Sequence, residues 1–201
     1  MNSTTTIETN PVRDSILAHG MRIMAGKGFS AVGLNEILTA AGVPKGSFYH
    51  YFGSKEAFGE ALLEHYFADY LAELDATLCA PGLTMAQRLM NYWQNWQDTQ
   101  SFQHCQGKCL AVKLGAEVAD LSEAMRHALQ RGTSGITARL ARAIEGGGAE
   151  GSLSVNGSPV EVAQILYQLW LGASVMVKIV RHTQPFATAM ITTRQMLHLC
   201  P

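Results

Sequence analysis

The stretch that decides the fold covers residues 42–58 and reads GVPKGSFYHYFGSKEAF. Its first three residues predict a tight turn, because glycine tolerates a left-handed backbone and proline begins a helix but cannot continue one. Residues 45–52 predict a two-turn helix rich in aromatic side chains, which Gly53 ends. Ser54 is a helix-capping residue type and predicts the start of a longer helix.

Two more helices are predicted before this stretch. Asn10 and Pro11 mark the start of the first, with asparagine as the cap and proline at the first helical position. A shorter helix runs from Leu34 to about Ala41. The helix, turn and helix of residues 34–52 match the geometry in which a second, slim helix enters the major groove of DNA. An aromatic-rich helical hairpin inside a protein core has the same spacing.

The apolar spacing of the remaining chain predicts further helices at residues 55–79, 84–101, 108–119, 122–144, 158–181 and 185–199. A flexible loop is predicted at residues 146–157. The predicted fold class is therefore all-α, with about nine helices and no strand. We divide it into a leader (1–10), a three-helix helix-turn-helix domain (11–56) and a helical sensing and dimerisation domain (57–201). The helix of residues 54–79 is long enough to link the two domains.

Composition restricts the function classes without selecting one. The chain has 201 residues and a net charge of −1, and residues 1–52 carry four basic against three acidic side chains. Bulk charge therefore gives no support to DNA binding, which is predicted from pattern alone. The polar first ten residues lack the apolar run of an export signal, and no apolar stretch reaches the ~18 residues of a membrane helix. We expect a cytoplasmic protein with reduced cysteines and no membrane partner.

Side chains of the third helix suit contacts with double-stranded DNA. Its first residue, a lysine, can reach a base edge or a phosphate, and the two small residues after it let the backbone approach the groove closely. The polar tips of the outward tyrosine and histidine suit base or phosphate contacts. A lysine at the start of the fourth helix, beside free backbone N–H groups, predicts a phosphate clamp. The predicted DNA contacts are Lys45, Gly46, Ser47, Tyr49, His50 and Lys55.

Residues 34–55, and above all 42–58, closely resemble the helix-turn-helix signature of the TetR family of bacterial repressors. The resemblance implies a homodimer that presents two reading helices to successive major grooves of a palindromic operator. Gly33 departs from the Ser or Thr usual before the second helix, which puts a phosphate contact there in doubt. The last two helices form the dimer interface in this family, which implies interface positions at Leu166, Trp170 and Val177. A core helix of a monomer has the same apolar pattern.

Cys109 is the cysteine with the most informative surroundings. Gly107 precedes it and predicts a helix start, so the thiol would lie in the first turn, where the helix dipole favours a thiolate. Lys113 lies one turn on. Together these features predict a thiol pKa about one unit or more below ~8.5, as in a reactive sensor thiol. A small buried helix residue is the other interpretation, because burial raises a thiol pKa.

A second resemblance concerns the sensing domain. Residues 107–126 and 169–173, with Lys178, are similar to an electrophile-responsive repressor of the TetR family. This implies that quinones, aldehydes, maleimides or oxidants modify Cys109, that Lys178 can approach it, and that modification releases the DNA. A conventional hydrophobic effector is the alternative, since Tyr92, Trp93, Trp96 and Phe102 suit a pocket as well as a plain core.

Two remoter interpretations involve other chemistry. His104 and Cys105 lie just before Cys109 and suggest a metal site, but metal sites need three or four ligands and Gly107 interrupts the helix that would align them. A catalytic pair of Cys105 and His127 is conceivable, although no nucleotide loop, paired metal motif or Ser-His-Asp spacing supports an enzyme. We therefore predict no enzyme activity, no cofactor and no metal, and assign Cys79, Cys105 and Cys200 to packing or incidental thiols.

Overall fold

A computed structural model describes residues 10–100 and 109–199 of the chain. Within these residues the fold is all-α, without strands, as predicted. It has nine helices: α1 (Pro11–Lys27), α2 (Leu34–Ala41), α3 (Lys45–Tyr51), α4 (Lys55–Leu78), α5 (Met85–Gln100), α6 (Leu110–Leu121), α7 (Glu123–Ala149), α8 (Pro159–Val180) and α9 (Gln184–Met196).

Helices α1 to α3 pack around a small aromatic core. The Asn10 side chain accepts hydrogen bonds from the N–H groups of Val12 and Arg13, which fixes the start of α1. Gly42 has a φ of 68°, a left-handed conformation that ends α2 and turns the chain into α3. Phe48 of α3 is fully buried, with its ring centroid 5.3 Å from that of Phe58 on α4. This core fixes the orientation of α3.

Helix α4 connects these helices to the rest of the chain. The Ser54 hydroxyl accepts a hydrogen bond from the Ala57 N–H, which caps the helix as predicted. Further along, α4 packs closely against α7, where a Cβ added to Gly132 would lie 2.1 Å from the Phe67 ring. Two charge-assisted hydrogen bonds, 2.7 and 2.9 Å long, join Arg139 of α7 to the Asp75 carboxylate of α4.

The glycine triplet at residues 146–148 corrects the sequence prediction. We expected α7 to end at residue 144 and a flexible loop to follow, but α7 continues through the triplet to Ala149. Gly147 is buried, and a Cβ there would lie 2.6 Å from the Leu153 side chain. The close approach of the following segment therefore explains a glycine at this position better than a loop does.

Helix α8 is the centre of the C-terminal core. The Trp170 indole stacks on Trp93 of α5, with ring centroids 4.9 Å apart, and donates a 2.9 Å hydrogen bond to the Thr193 hydroxyl of α9. The Trp96 indole N–H donates to the buried Ser174 hydroxyl at 2.9 Å. Among the described residues, α8 alone is long and apolar enough to cross a membrane. Its inward face forms this core, which is the common reason for such composition.

Candidate DNA-reading surface and sensor thiol

Helix α3 presents its polar side chains to solvent. Lys45 and His50 are exposed, and Tyr49 is 50% exposed. The Lys45 ammonium lies 5.9 Å from the centroid of the Tyr49 ring, a cation–π distance. Ser47 is half-buried, and nothing lies within 4 Å of a Cβ added to Gly46. The start of α3 is therefore slim and accessible, as an approach to a groove requires.

Lys55 has a structural contact that the sequence did not reveal. Its ammonium donates a 2.9 Å hydrogen bond to the Phe29 carbonyl and lies 4.7 Å from the centroid of the Phe29 ring. The lysine thereby ties the start of α4 to the loop between α1 and α2. Two of its three donors lie outside this bond, so a phosphate contact at Lys55 stays a prediction.

Cys109 lies where α4, α6 and α8 meet. It is the residue immediately before α6, with extended backbone angles, and its side chain is 4% exposed. The N–H groups of Ala111 and Val112 face the sulfur and favour its thiolate form, but close no capping hydrogen bond to the thiol. Lys178 of α8 contributes a positive charge. The described structure thus brings together the cysteine and the lysine that the family resemblance paired.

The predicted low pKa of the Cys109 thiol is corrected by the structure. Burial raises the pKa of Cys109 and outweighs the opposing effects of the Val112 N–H, the Tyr66 hydroxyl and the Lys178 charge. The helix was expected to include Cys109 in its first turn, but α6 begins at Leu110 and Cys109 directly precedes it. Local sequence also does not show how deeply the residue lies. Lys113, predicted to assist the thiol, instead lowers the pKa of the Glu117 carboxyl.

Buried tyrosines surround the thiol, and the sequence analysis assigned them no role. Burial, followed by the proximity of Cys109, raises the pKa of both Tyr66 and Tyr167. Neither hydroxyl has a well-formed hydrogen bond, although buried hydroxyls are normally paired. The Tyr66 hydroxyl favours the Cys109 thiolate, and the Tyr167 hydroxyl also lies near the sulfur. No periodicity could have revealed them, since they come from α4 and α8, far from Cys109 in sequence.

A cavity of about 550 Å³ lies beside this cluster. It is bounded by α1, α4, α5 and the start of α6, and Tyr66 lines it, so the cavity reaches a neighbour of the thiol. The Tyr70 and Tyr92 hydroxyls, 2.8 Å apart, form a hydrogen bond in its wall. Of the aromatic residues predicted to line a pocket, Tyr92 and Trp96 do so, whereas Trp93 is fully buried in the core.

The three predicted interface residues point into the protomer. Leu166, Trp170 and Val177 are 1%, 0% and 0% exposed in the single chain, so they cannot form its outer contact surface. An apolar pattern around the whole of α8 did not reveal which side faces inward. The outer face of α8 and α9 carries a different apolar set: Val160, Ile165, Val175, Met176, Ile179, Val180 and Ile191.

Several other predictions have a limited structural outcome. Residues 1–9 of the leader, Phe102, His104, Cys105, Gly107 and Cys200 lie outside the described residues. Cys79 is a free, exposed thiol at the end of α4. In the described part of the chain, no group of three or more His, Cys, Asp or Glu side chains is arranged to hold a metal ion.

Comparisons with known proteins identify the family. Residues 16–62 match the family described as bacterial regulatory proteins, tetR family, and residues 86–193 match the tetracyclin repressor-like C-terminal domain. Together the two matches cover more than half of the chain. The chain belongs to the TetR family and is a transcriptional repressor with a helix-turn-helix DNA-binding domain. Members of this family bind operator DNA, dimerise and sense small molecules.

Within the family, one relative is similar over nearly the whole chain. The HTH-type transcriptional repressor NemR of Escherichia coli (strain K12) is 42% identical over 189 residues, which cover 92% of this chain and 93% of the relative. The crystal structure of E. coli NemR in its reduced form matches with a TM-score of 0.89 at 41% identity, covering 94% of this chain and 97% of that one. The HTH-type repressor DhaR of Mycobacterium sp. is 32% identical over 87% of this chain and 86% of its own.

Proposed function

We propose that the chain is a homodimeric repressor that leaves a palindromic operator when a reactive electrophile or oxidant modifies Cys109. The observation that carries this proposal is the position of Cys109 immediately before α6, beside Tyr66, Tyr167 and Lys178, in a chain 42% identical to NemR. As a regulator of DNA it would act in the cytoplasm.

The reading surface supports a sequence-specific contact. In α3, Phe48 is buried while its neighbour Tyr49 is half exposed, so the core fixes the direction in which the polar side chains leave the helix. We propose that Lys45, Tyr49 and His50 contact base edges or phosphates and that Gly46 and Ser47 permit the close approach. The DNA-binding domain, which we call the DNA-reading head (residues 11–56), carries few charges. We therefore expect its affinity for DNA to arise from binding two half-sites and to depend only moderately on salt.

The outer face of α8 and α9 supports the homodimer. Seven large apolar side chains on these helices are at least 36% exposed in the single chain, the most exposed being Ile179 at 65%. Exposed apolar side chains concentrated on two packed helices are typical of a protein–protein interface. A second copy that covers this face would set the separation of the two reading helices.

The surroundings of Cys109 suit a thiol that reacts by addition. When it adds to an activated alkene such as a quinone or a maleimide, a sulfur–carbon bond forms, the alkene π bond breaks, and the thiol proton ends on the neighbouring carbon. Lys178 and the Tyr66 and Tyr167 hydroxyls can stabilise the negative charge that develops on sulfur or on the carbonyl oxygen.

The same burial explains how an adduct changes the conformation. The thiol is 4% exposed and packs at the junction of three helices, so the added atoms have no room without a shift of α6 or its neighbours. Overpacking of this kind costs about 1 to 3 kcal/mol. A cost of that size, felt more in the DNA-binding conformation than in the other, is enough to move the equilibrium between them.

The second candidate function is release by a non-covalent ligand. The cavity of about 550 Å³ favours it, because its volume suits a small molecule and its wall combines aromatic surface with hydroxyl groups. Met21 and Arg22 of α1 line one side, so an occupant would contact a helix of the DNA-binding domain directly. The cavity and the Cys109 thiol are neighbouring sites, since Tyr66 borders both. The two candidate functions differ in whether a bond to sulfur forms.

The deciding experiment measures operator binding by the purified dimer during titration with N-ethylmaleimide. The DNA is taken from upstream of its own gene, and mass spectrometry maps the modified thiols at each step. We expect the loss of binding to follow the modification of Cys109. Cys109→Ser should bind the operator normally and fail to release, while Cys79→Ser, which removes an exposed thiol, should behave as wild type. Tight binding at full Cys109 modification would leave the non-covalent ligand as the function.

A further inference from the structure

A carboxylate of the C-terminal domain accepts hydrogen bonds from the loop between α1 and α2. Glu117, on α6, accepts a 3.1 Å hydrogen bond from the Phe29 N–H and a 2.6 Å hydrogen bond from the Ser30 N–H. This loop leads directly into α2, the first helix of the helix-turn-helix. The two bonds therefore connect the DNA-binding domain to a helix that is distant in sequence.

The backbone of the loop is shaped for this contact. Gly28 has a φ of 93°, and a Cβ added there would lie 3.0 Å from a Glu117 carboxylate oxygen. Any side chain at this position would be strained and would crowd the carboxylate. Partial burial opposes ionisation of Glu117, but the hydrogen bonds from Ser30 and Phe29 and the Lys113 charge together lower the pKa of the carboxyl. Glu117 is thus held as an anion against two backbone donors.

A second element holds the same loop from the other side. The Lys55 ammonium, at the start of α4, donates to the Phe29 carbonyl at 2.9 Å. Phe29 therefore has its N–H bonded to α6 and its carbonyl bonded to α4. We name this set of Phe29, Ser30, Lys55 and Glu117 the loop clamp. A displacement of α6 relative to α4 must stretch one of its bonds or carry the loop along.

Helix α6 connects Cys109 to Glu117. Cys109 immediately precedes α6 and Glu117 lies eight positions later, which corresponds to about 12 Å along a helix axis. We propose that Glu117 couples the state of Cys109 to the DNA-reading head through its bonds to Phe29 and Ser30. This inference rests on the proposed function of Cys109, and it assigns Glu117 a positioning role, since the carboxylate contacts neither the thiol nor the DNA-reading surface.

The test compares Glu117→Ala with Asp120→Ala in the full-length dimer. Asp120 is an exposed acidic residue one turn further along the same helix, so its replacement controls for lost charge on α6. The measured quantity is the ratio of operator dissociation constants after and before complete modification by N-ethylmaleimide. A coupling of ordinary strength changes affinity about 5- to 150-fold. We expect wild type and Asp120→Ala to show such a ratio and Glu117→Ala to fall to near one.

Hydrogen exchange gives an independent reading of the loop clamp itself. In the unmodified protein, the Phe29 and Ser30 amides should exchange at least about fivefold faster in Glu117→Ala than in wild type or Asp120→Ala. Glu117→Gln, which retains one carbonyl acceptor, should be intermediate. Modification of Cys109 in wild type should also speed exchange at these two amides.

Each failure has a different meaning. A wild-type protein that keeps its operator after full modification defeats the sensing function on which this inference rests. A wild-type protein that releases DNA, with Glu117→Ala releasing by the same ratio, overturns the role of Glu117 alone. Unaltered amide exchange in a folded Glu117→Ala variant overturns the loop clamp.

Discussion

The DNA-reading head and the sensor site use opposite arrangements of their functional groups. In α3 the residues predicted to read DNA are exposed, and the aromatic core beneath them only sets their direction. At Cys109 the functional group is itself in the core, 4% exposed, with ionisable neighbours that are also buried. A surface that recognises a large partner stays accessible, whereas a thiol with the sensing role that we propose can be enclosed, because its reagents are small.

This difference in exposure between α3 and Cys109 explains how one chain can keep DNA reading and the proposed sensing separate. The surface of the head can vary with little effect on stability, because it lies outside the core. The sensor cannot vary in this way, since each neighbour of the thiol also supports the packing of α4, α6 and α8. A signal between them must pass from a tightly packed region to an exposed one, and four experiments test this difference.

Phe48→Ala should have the largest effect of the four. Phe48 is fully buried against Phe52 and Phe58, and removing such a side chain costs about 3 to 5 kcal/mol of unfolding free energy. We expect the head to lose its structure and operator binding to disappear, as measured by urea denaturation and DNA titration. A variant of wild-type stability would show that the aromatic core does not hold α3.

Tyr49→Ala, at the next position, should leave stability unchanged and weaken DNA binding. One lost hydrogen bond costs about 1 kcal/mol, and two half-sites double this to about 2 kcal/mol, roughly a 30-fold weaker affinity. Fluorescence anisotropy with an operator fragment measures the change, and sedimentation verifies the dimer. Loss of the dimer, or unaltered affinity, would contradict the assignment of Tyr49 to the reading surface.

Gly132→Ala tests the packing of α7 against α4, the helix that carries Tyr66. A Cβ at this position would lie 2.1 Å from the Phe67 ring, so we expect a loss of about 1 to 3 kcal/mol from overpacking between α4 and α7. Gly115→Ala is the matched control, because a Cβ there has nothing within 4 Å. It should stabilise its helix by about 0.5 to 1 kcal/mol. Denaturation at a fixed protomer concentration measures the unfolding free energy of both variants. Equal effects of the two substitutions would show that α4 and α7 can move apart at little cost in free energy.

The pH dependence of Cys109 modification should be the smallest but most diagnostic effect. Burial raises the pKa of the thiol, so the reactive thiolate is scarce at neutral pH and the modification rate should rise about tenfold per pH unit without levelling near 8.5. The same protein in urea should level near that ordinary value. Stopped-flow reaction with N-ethylmaleimide, read at the Cys109 peptide, gives both profiles. A plateau below pH 8 in the folded protein would mean an activated thiol.

The head could be predicted from sequence because its structural signals are local. Capping residues, a left-handed glycine and a proline lie within a few positions of the helices they delimit. Over the residues that the structure describes, the predicted all-α fold with nine helices was therefore confirmed. Ser54 caps α4 as the sequence indicated, and Asn10 caps α1. Lys55 was less predictable, because its bond to Phe29 joins segments separated along the chain.

The sensor region could be predicted only in part, because its neighbours come from distant segments. Proximity to a helix start suggested a lowered pKa for Cys109, while its burial among α4, α6 and α8 has the opposite and larger effect. The inward direction of Trp170 depends on Trp93 and Thr193, which periodicity along α8 does not reveal. The loop predicted at residues 146–157 was wrong at its start for a similar reason. Gly147, within α7, packs against Leu153, and such a tertiary contact is not visible in local sequence.

If Cys109 is the sensor that we propose, its burial also sets the dose of reagent at which the protein responds. With 4% of the side chain exposed, a reagent reaches the sulfur during brief local openings, and the observed rate is the opening equilibrium constant multiplied by the intrinsic rate of an exposed thiol. Each 1.4 kcal/mol of local stability around α6 therefore changes that rate about tenfold. Substitutions in the surrounding core, far from any contact with the reagent, would therefore change the reagent concentration at which the repressor leaves its operator.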